Sequence, residues 1–138
     1  MAMIMAIIAI VIIGTIMALA LALNSQTTKQ TTDLYLYEQA VLLSKSATEY
    51  ALLRIAQNDP CTNIDGNFTQ DGIYDINISA QYIYDSNTSC IANGGTLYTT
   101  VTTPEQNGSV LLDVTVSVTD KNVTTEDIRY FRRTIQKL

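Results

Sequence analysis

Residues 1–23, MAMIMAIIAIVIIGTIMALALAL, decide how the rest of the chain is read. None of these side chains is charged, and the first that is charged is Lys29. At a rise of 1.5 Å per residue, this stretch makes a helix of about 35 Å, enough to cross the hydrocarbon of a bilayer. A helix that is apolar all round needs lipid or protein on every side. A cleavable secretory signal would carry a basic leading region and a small-residue cleavage site, and neither is visible. A membrane anchor usually has a positive flank before its apolar run. Its absence here predicts that a short basic leader has been removed and that Met1 is a processed end.

Working outward, Asn24 to Thr32 (NSQTTKQTT) is polar and a poor helix former, so it either continues the helix or melts when the stem leaves lipid. Between Asp33 and Asn58 the helical period returns. Leu36, Ala40, Leu43, Ala47 and Tyr50 form a stripe widened by Tyr37, Val41, Ala51 and Ile55. Glu38, Lys45, Glu49 and Arg54 lie off it, with Lys45 and Glu49 spaced to pair. Pro60 disfavours helical geometry in the residue before it and ends the run at Asn58-Asp59. A helix of about 57 residues would be roughly 85 Å long. A domain of this size cannot bury such a rod along its whole length, so half of it must find partners elsewhere.

After Cys61 the period changes from 3.6 to 2. Ile76, Ile78, Ala80, Tyr82 and Tyr84 alternate with polar neighbours, as do Val110, Leu112, Val114, Val116 and Val118. Shorter strands fit Thr96–Thr103 and Asp127–Lys137, joined by turns at Gly94-Gly95, Pro104–Gly108 and Asp120–Glu126. The expected fold is therefore α+β: a long N-terminal helix, hydrophobic then amphipathic, packed by a C-terminal antiparallel sheet of about four strands. Three parts follow: 1–23, a transmembrane or filament-core helix; 24–58, an amphipathic helix joining the head; and 59–138, the sheet head.

Net charge is −5, with 8 Lys and Arg against 13 Asp and Glu. That balance argues against nucleic acid as a partner, since phosphate binding needs a concentrated basic face. Arg129, Arg132, Arg133 and Lys137 gather near the C-terminus and read as a basic edge strand or a contact with an acidic neighbouring subunit. With no histidine, the commonest general base and any Ser-His triad are missing, and no phosphate-cradling loop follows a strand. No enzyme and no cofactor are expected. Asn63, Asp65, Asp71 and Asp75 do not have the spacing of an EF-hand and read as a solvated turn. If the head lies outside the cytoplasm, Cys61 and Cys90 read as one disulfide; the alternative is two buried thiols.

The opening MAMIMAIIAIVIIG resembles the N-terminus of mature type IV pilins and type II secretion pseudopilins, with Ile12-Ile13-Gly14 matching the usual Ile-Ile-Gly. YEQAVLLSKSATEYALLRIA (Tyr37–Ala56) and YFRRTIQKL (Tyr130–Leu138) look similar to pilin-like proteins of campylobacterial bacteria. The resemblance implies an N-methylated Met1 and a filament core packed through Met3, Ile4, Met5, Ile7, Ile8, Val11, Ile12 and Gly14. It departs in two places: the family's glutamate at the fifth position is Met5 here, and its proline near position 22 is Ala22. That glutamate is thought to neutralise a neighbour's terminal amine, so this subunit either orders its N-terminus by packing alone or is a specialised minor subunit.

A second signal is chemical. Asn67, Asn77, Asn87, Asn107 and Asn122 each begin an Asn-x-Ser/Thr sequon, and each has Asp or Glu two positions earlier. With 13 acidic residues among 138, coincidence at all five is on the order of one in 100,000. The shared pattern resembles the acceptor of the campylobacterial-type oligosaccharyltransferase and implies a head outside the cytoplasm. The expected function is the major structural subunit of an extracellular type IV pilus-like filament, serving adhesion or motility. Its partners are other copies of itself, the inner membrane before assembly, and the pilus assembly machinery. A minor pseudopilin of a secretion system and a membrane-anchored adhesin are the alternatives.

Overall fold

The computed structural model describes residues 2–84, 90, 92–102, 108–120, 123–124 and 126–138. One helix, α1 (Ala2–Gln57), leads into five strands: β1 (Gly66–Gln70), β2 (Tyr74–Tyr84), β3 (Thr96–Thr100), β4 (Gly108–Val118) and β5 (Arg129–Lys137). This is the α+β architecture that the periodicities predict, pilin-like as the resemblance implies, with one strand more than expected.

Asn24–Thr32 stays helical. The hydroxyls of Thr27, Thr28, Thr31 and Thr32 each donate to the carbonyl four residues earlier, at 2.9–3.1 Å. Each polar side chain thus finds a partner on the helix itself, at the small cost such back-bonds impose on it. The helix ends at Gln57, and the Asn58 side-chain amide donates to Arg54 C=O at 2.6 Å, satisfying one of the terminal carbonyls.

The sheet runs β1-β2-β4-β5, antiparallel throughout that path, while β3 pairs in parallel with the far half of β2. β1 and β3 therefore share one side of β2, and β5 forms the opposite edge. Alternation sorts the long strands as expected. Ile76, Ile78, Ala80 and Tyr82 lie opposite Val116, Val114, Leu112 and Val110, and all eight are buried on the face that α1 covers. The outer face carries Asp75, Asn77, Ser79, Asp113, Thr115 and Ser117. Leu111 also lies there, yet it is buried; its cross-strand neighbours are Gln81 and Ile135.

The docking stripe of α1 differs from the predicted one. Leu36, Ala40, Ser44, Ala47, Thr48, Ala51 and Ile55 are buried, Leu43 is half-buried, and Tyr50 is 48% exposed. The periodicity admitted apolar residues only, whereas the packed face is chosen by size: Ala, Ser and Thr let the helix approach the sheet closely. Ser44 and Thr48 are tolerated because their hydroxyls donate to Val41 and Ser44 carbonyls, at 2.7 and 2.8 Å. Tyr50 packs instead at the rim, edge-on to Phe68 with ring centroids 5.9 Å apart, as Tyr37 does against Tyr130. Lys45 and Glu49 are exposed and form no ion pair, consistent with the small gain available to such a pair in water.

The unexpected strand, β1, follows from a turn. Asp71 (φ 55°) and Gly72 (φ 67°) are both left-handed, and Ile73 N–H donates to Gln70 C=O at 3.1 Å. Asp-Gly in this conformation twists its flanking strands into a hairpin, so β1 folds back on β2.

Candidate assembly interface

The two halves of α1 have different surroundings. From residue 33 onward it lies on the sheet; residues 3–31 are exposed throughout. Of the predicted core-packing residues, Met3 (82%) is the most exposed and Ile8 (50%) the least, with Ile4, Met5, Ile7, Val11 and Ile12 between. At Gly14 nothing lies within 4 Å of where a Cβ would stand. A mid-helix glycine costs up to about 1 kcal/mol relative to alanine and recovers nothing within this chain. With 56 residues, α1 is about 84 Å long, of which roughly 45 Å projects beyond the head. The projecting part is long and apolar enough to cross a membrane. Met1 lies outside the described residues.

Cys61 and Cys90 form a disulfide, Cα atoms 4.7 Å apart and both residues fully buried. It ties the chain leaving α1 to the segment before β3. Around it, Thr62 bridges to Gly94, Asn93 Nδ2 donates to Pro60 C=O at 2.6 Å, and Tyr82 Oη donates to Thr62 C=O at 2.6 Å. Gly95 lies so close to the Cys61 carbonyl that a Cβ would collide with it. Burial pushes the Tyr82 phenol above its ordinary 10.0, with Asp65 adding to the effect; burial does the same at Tyr74, helped by Tyr35 and Asp71.

Two sequons fall on described residues. Asn67 on β1 and Asn77 on β2 are exposed and stand directly opposite each other on the outer face. The β1–β2 hairpin carries Asn67 into a strand. Their upstream acids have different surroundings. Asp65 Oδ1 accepts Ala80 N–H at 2.7 Å, and Asp75 Oδ1 is buried without a hydrogen-bond partner. Asn87, Asn107 and Asn122 lie outside the described residues.

Among the described residues, no three His, Cys, Asp or Glu side chains gather where a metal ion could sit. Asn63 and Asp65 belong to a local turn, Asp65 N–H donating to Asn63 Oδ1 at 2.8 Å. An open cleft where the end of α1 meets the C-terminus, lined by Leu52, Ile55, Ala56, Asn58, Pro60, Tyr84, Lys137 and Leu138, is mainly apolar, with Lys137 its one charged side chain. Arg133 makes a bidentate pair with Asp113 across β4–β5, at 2.6 and 2.5 Å. That pair was not anticipated from sequence, because only the strand register brings residues twenty positions apart into line. Comparison with family models, curated proteins and solved structures finds no match.

Proposed function

We propose that this chain is the major subunit of an extracellular type IV pilus-like filament, held in the inner membrane by its leading helix before assembly. The observation that carries the reading is a single continuous helix whose second half is seated on the sheet while residues 3–31 of its first half are exposed throughout. Fourteen large apolar side chains from Met3 to Leu23 are at least half exposed. Full burial of such a side chain is worth about 1.5–3 kcal/mol, so leaving them in water is untenable by tens of kcal/mol. Lipid satisfies them in the membrane, and packing against neighbouring copies satisfies them in a fibre. The assembly machinery moves the stem from one apolar surrounding to the other, and the head stays outside the cytoplasm. The Cys61–Cys90 bridge suits an oxidising compartment, and the exposed Asn67 and Asn77 suit N-linked sugars facing water.

The test is to shear appendages from cells that make this protein and identify their mass by peptide sequencing. The chain should dominate the fibres, and peptides spanning the sequons should carry sugar. Recovery only as a monomer in membrane fractions would replace the filament by a membrane-anchored binding module. Unmodified asparagines throughout would remove the glycoprotein part alone.

A further inference from the structure

The charges of this chain are segregated along the sequence, and the fold turns that segregation into a direction. From Ile55 to Asp120 there are eight acidic residues and no Lys or Arg; from Arg129 to Leu138 there are four basic residues and no acid. β1, bracketed by Asp65 and Asp71, forms one edge of the sheet, with β5 at the other. Two strands separate them, so the edges stand about 14 Å apart. The charges are not consumed internally. Among the described residues the one ion pair is Arg133–Asp113, so Arg129, Arg132 and Lys137 on one side and Asp71 on the other have no ionic partner. All four except Arg132, which is half-buried, are exposed.

The basic edge also has the composition of a contact surface. Phe131 and Ile135 are 51% and 64% exposed, and the Arg133 guanidinium lies 5.6 Å from the Phe131 ring centroid. Aromatic residues and arginine are enriched where proteins meet. β5 pairs only with β4, leaving its outer row of backbone groups unmatched by any strand. The two faces of the sheet are already committed: α1 covers one, and Asn67 and Asn77 stand on the other. The edges are what remains for lateral contact.

We propose that the β5 edge of one copy docks against the acidic β1 edge of a second copy of this chain, through Arg129, Arg132 and Lys137 on one side and Asp65 and Asp71 on the other. The inference rests on the filament reading and deepens it. Because the two surfaces differ, the contact is heterologous, and repeated it propagates rather than closing on a dimer. It leaves Asn77, one strand in from the β1 edge, turned to water.

The experiment uses the full chain with two different tags, co-expressed, with two readouts: sheared fibre mass and co-purification of one tag by the other in detergent. Arg129→Glu with Arg132→Glu reverses the basic edge. Gln70→Lys with Asp71→Asn reverses the acidic edge. This pair spares Asp65, whose carboxylate holds Ala80 N–H, and asparagine suits the left-handed backbone at position 71. Each reversal alone should lower both readouts about tenfold, and the two combined in one chain should restore them to within about threefold. Wild-type co-purification should also fall steeply between about 0.05 and 0.5 M salt. Co-purification indifferent to salt and to either reversal overturns the edge contact, as does failure of the combined variant to recover while its disulfide and fold are intact. Fibres that persist unchanged in the single reversals leave the filament reading standing without this contact. Edge-dependent co-purification from cells that make no fibre does the opposite.

Discussion

Replacing both Cys61 and Cys90 by alanine should cost the head about 3–5 kcal/mol. The bridge spans a sequence separation of 29. In the chain-entropy account, closing a loop of that length removes freedom from the unfolded chain worth about 3.6 kcal/mol at 25 °C. Both cysteines are fully buried, so the lost sulfurs leave a gap that adds roughly 1 kcal/mol. Alanine is preferred to serine because a buried hydroxyl without a partner would add a penalty unrelated to the loop. The assay is urea unfolding of the detergent-solubilised full chain, followed by near-ultraviolet circular dichroism of the head's tyrosines. With a slope of about 1.5 kcal/mol per molar urea, the midpoint should fall by roughly 2–3 M. Reduction of the wild-type bridge under denaturing conditions, followed by refolding without oxidant, should give the same midpoint as the variant to within the gap term. A fall below about 0.7 M, under 1 kcal/mol, would refute the reasoning: the Cys61–Cys90 segment would then be restrained in the unfolded chain without its bridge.

Two further substitutions test the packing and the buried phenols. Ala47→Leu should destabilise the head by about 1–3 kcal/mol, because the added atoms must enter the helix–sheet contact, while Ser44→Ala should change it by less than about 1 kcal/mol; thermal midpoints of the full chain check both, and equal effects would mean that the stripe is misassigned. Tyr82 is harder to ionise in the folded head than in the unfolded chain. Stability attached to this group is therefore intact below the ordinary 10.0 and is lost as pH rises through that value toward the raised one. Tyr82→Phe removes the titration at the expense of the bond to Thr62 C=O, about 1 kcal/mol at neutral pH; its unfolding midpoint should fall less steeply than the wild type's between about pH 9 and 11, and an identical slope would contradict the assignment.

The parts of the fold legible in the sequence were those where one physical signal acts alone. The stem is legible because Thr15 is the only polar side chain in residues 1–23, and β2 and β4 because one face of each is buried and the other wet. β1 was missed because Gly66–Gln70 is a short edge strand with four of its five residues exposed, so burial imposes no alternation on it. Its only trace is the Asp71-Gly72 turn, which reads as a hairpin once Tyr74–Tyr84 is recognised as its second arm. The docking stripe was half legible for a related reason. Hydropathy marks Leu36 and Ile55, but it cannot separate a serine that returns its hydroxyl to the helix from one that faces water. The pairing of Asn67 with Asn77, and of Arg133 with Asp113, depends on register, which strand periodicity leaves open by any even number of residues.

The uncharged stem raises a question that the head can answer. Between residues 2 and 28 no side chain is charged. Apolar helices moving from lipid into contact with one another gain van der Waals packing but little directional preference, since lipid tails are as apolar as the side chains they leave. Neighbouring stems of this kind can slide by a turn and lose few contacts, so the rods alone are a weak ruler for subunit spacing. A charged edge is a better one. Displacing Arg129 or Arg132 by several ångströms from an opposing carboxylate forfeits both the attraction and the hydrogen-bond geometry. Within the filament reading, adhesion then comes from the stem and register from the head. The division predicts that reversing the β5 charges disturbs the order of subunits along a fibre more than the membrane retention of single copies.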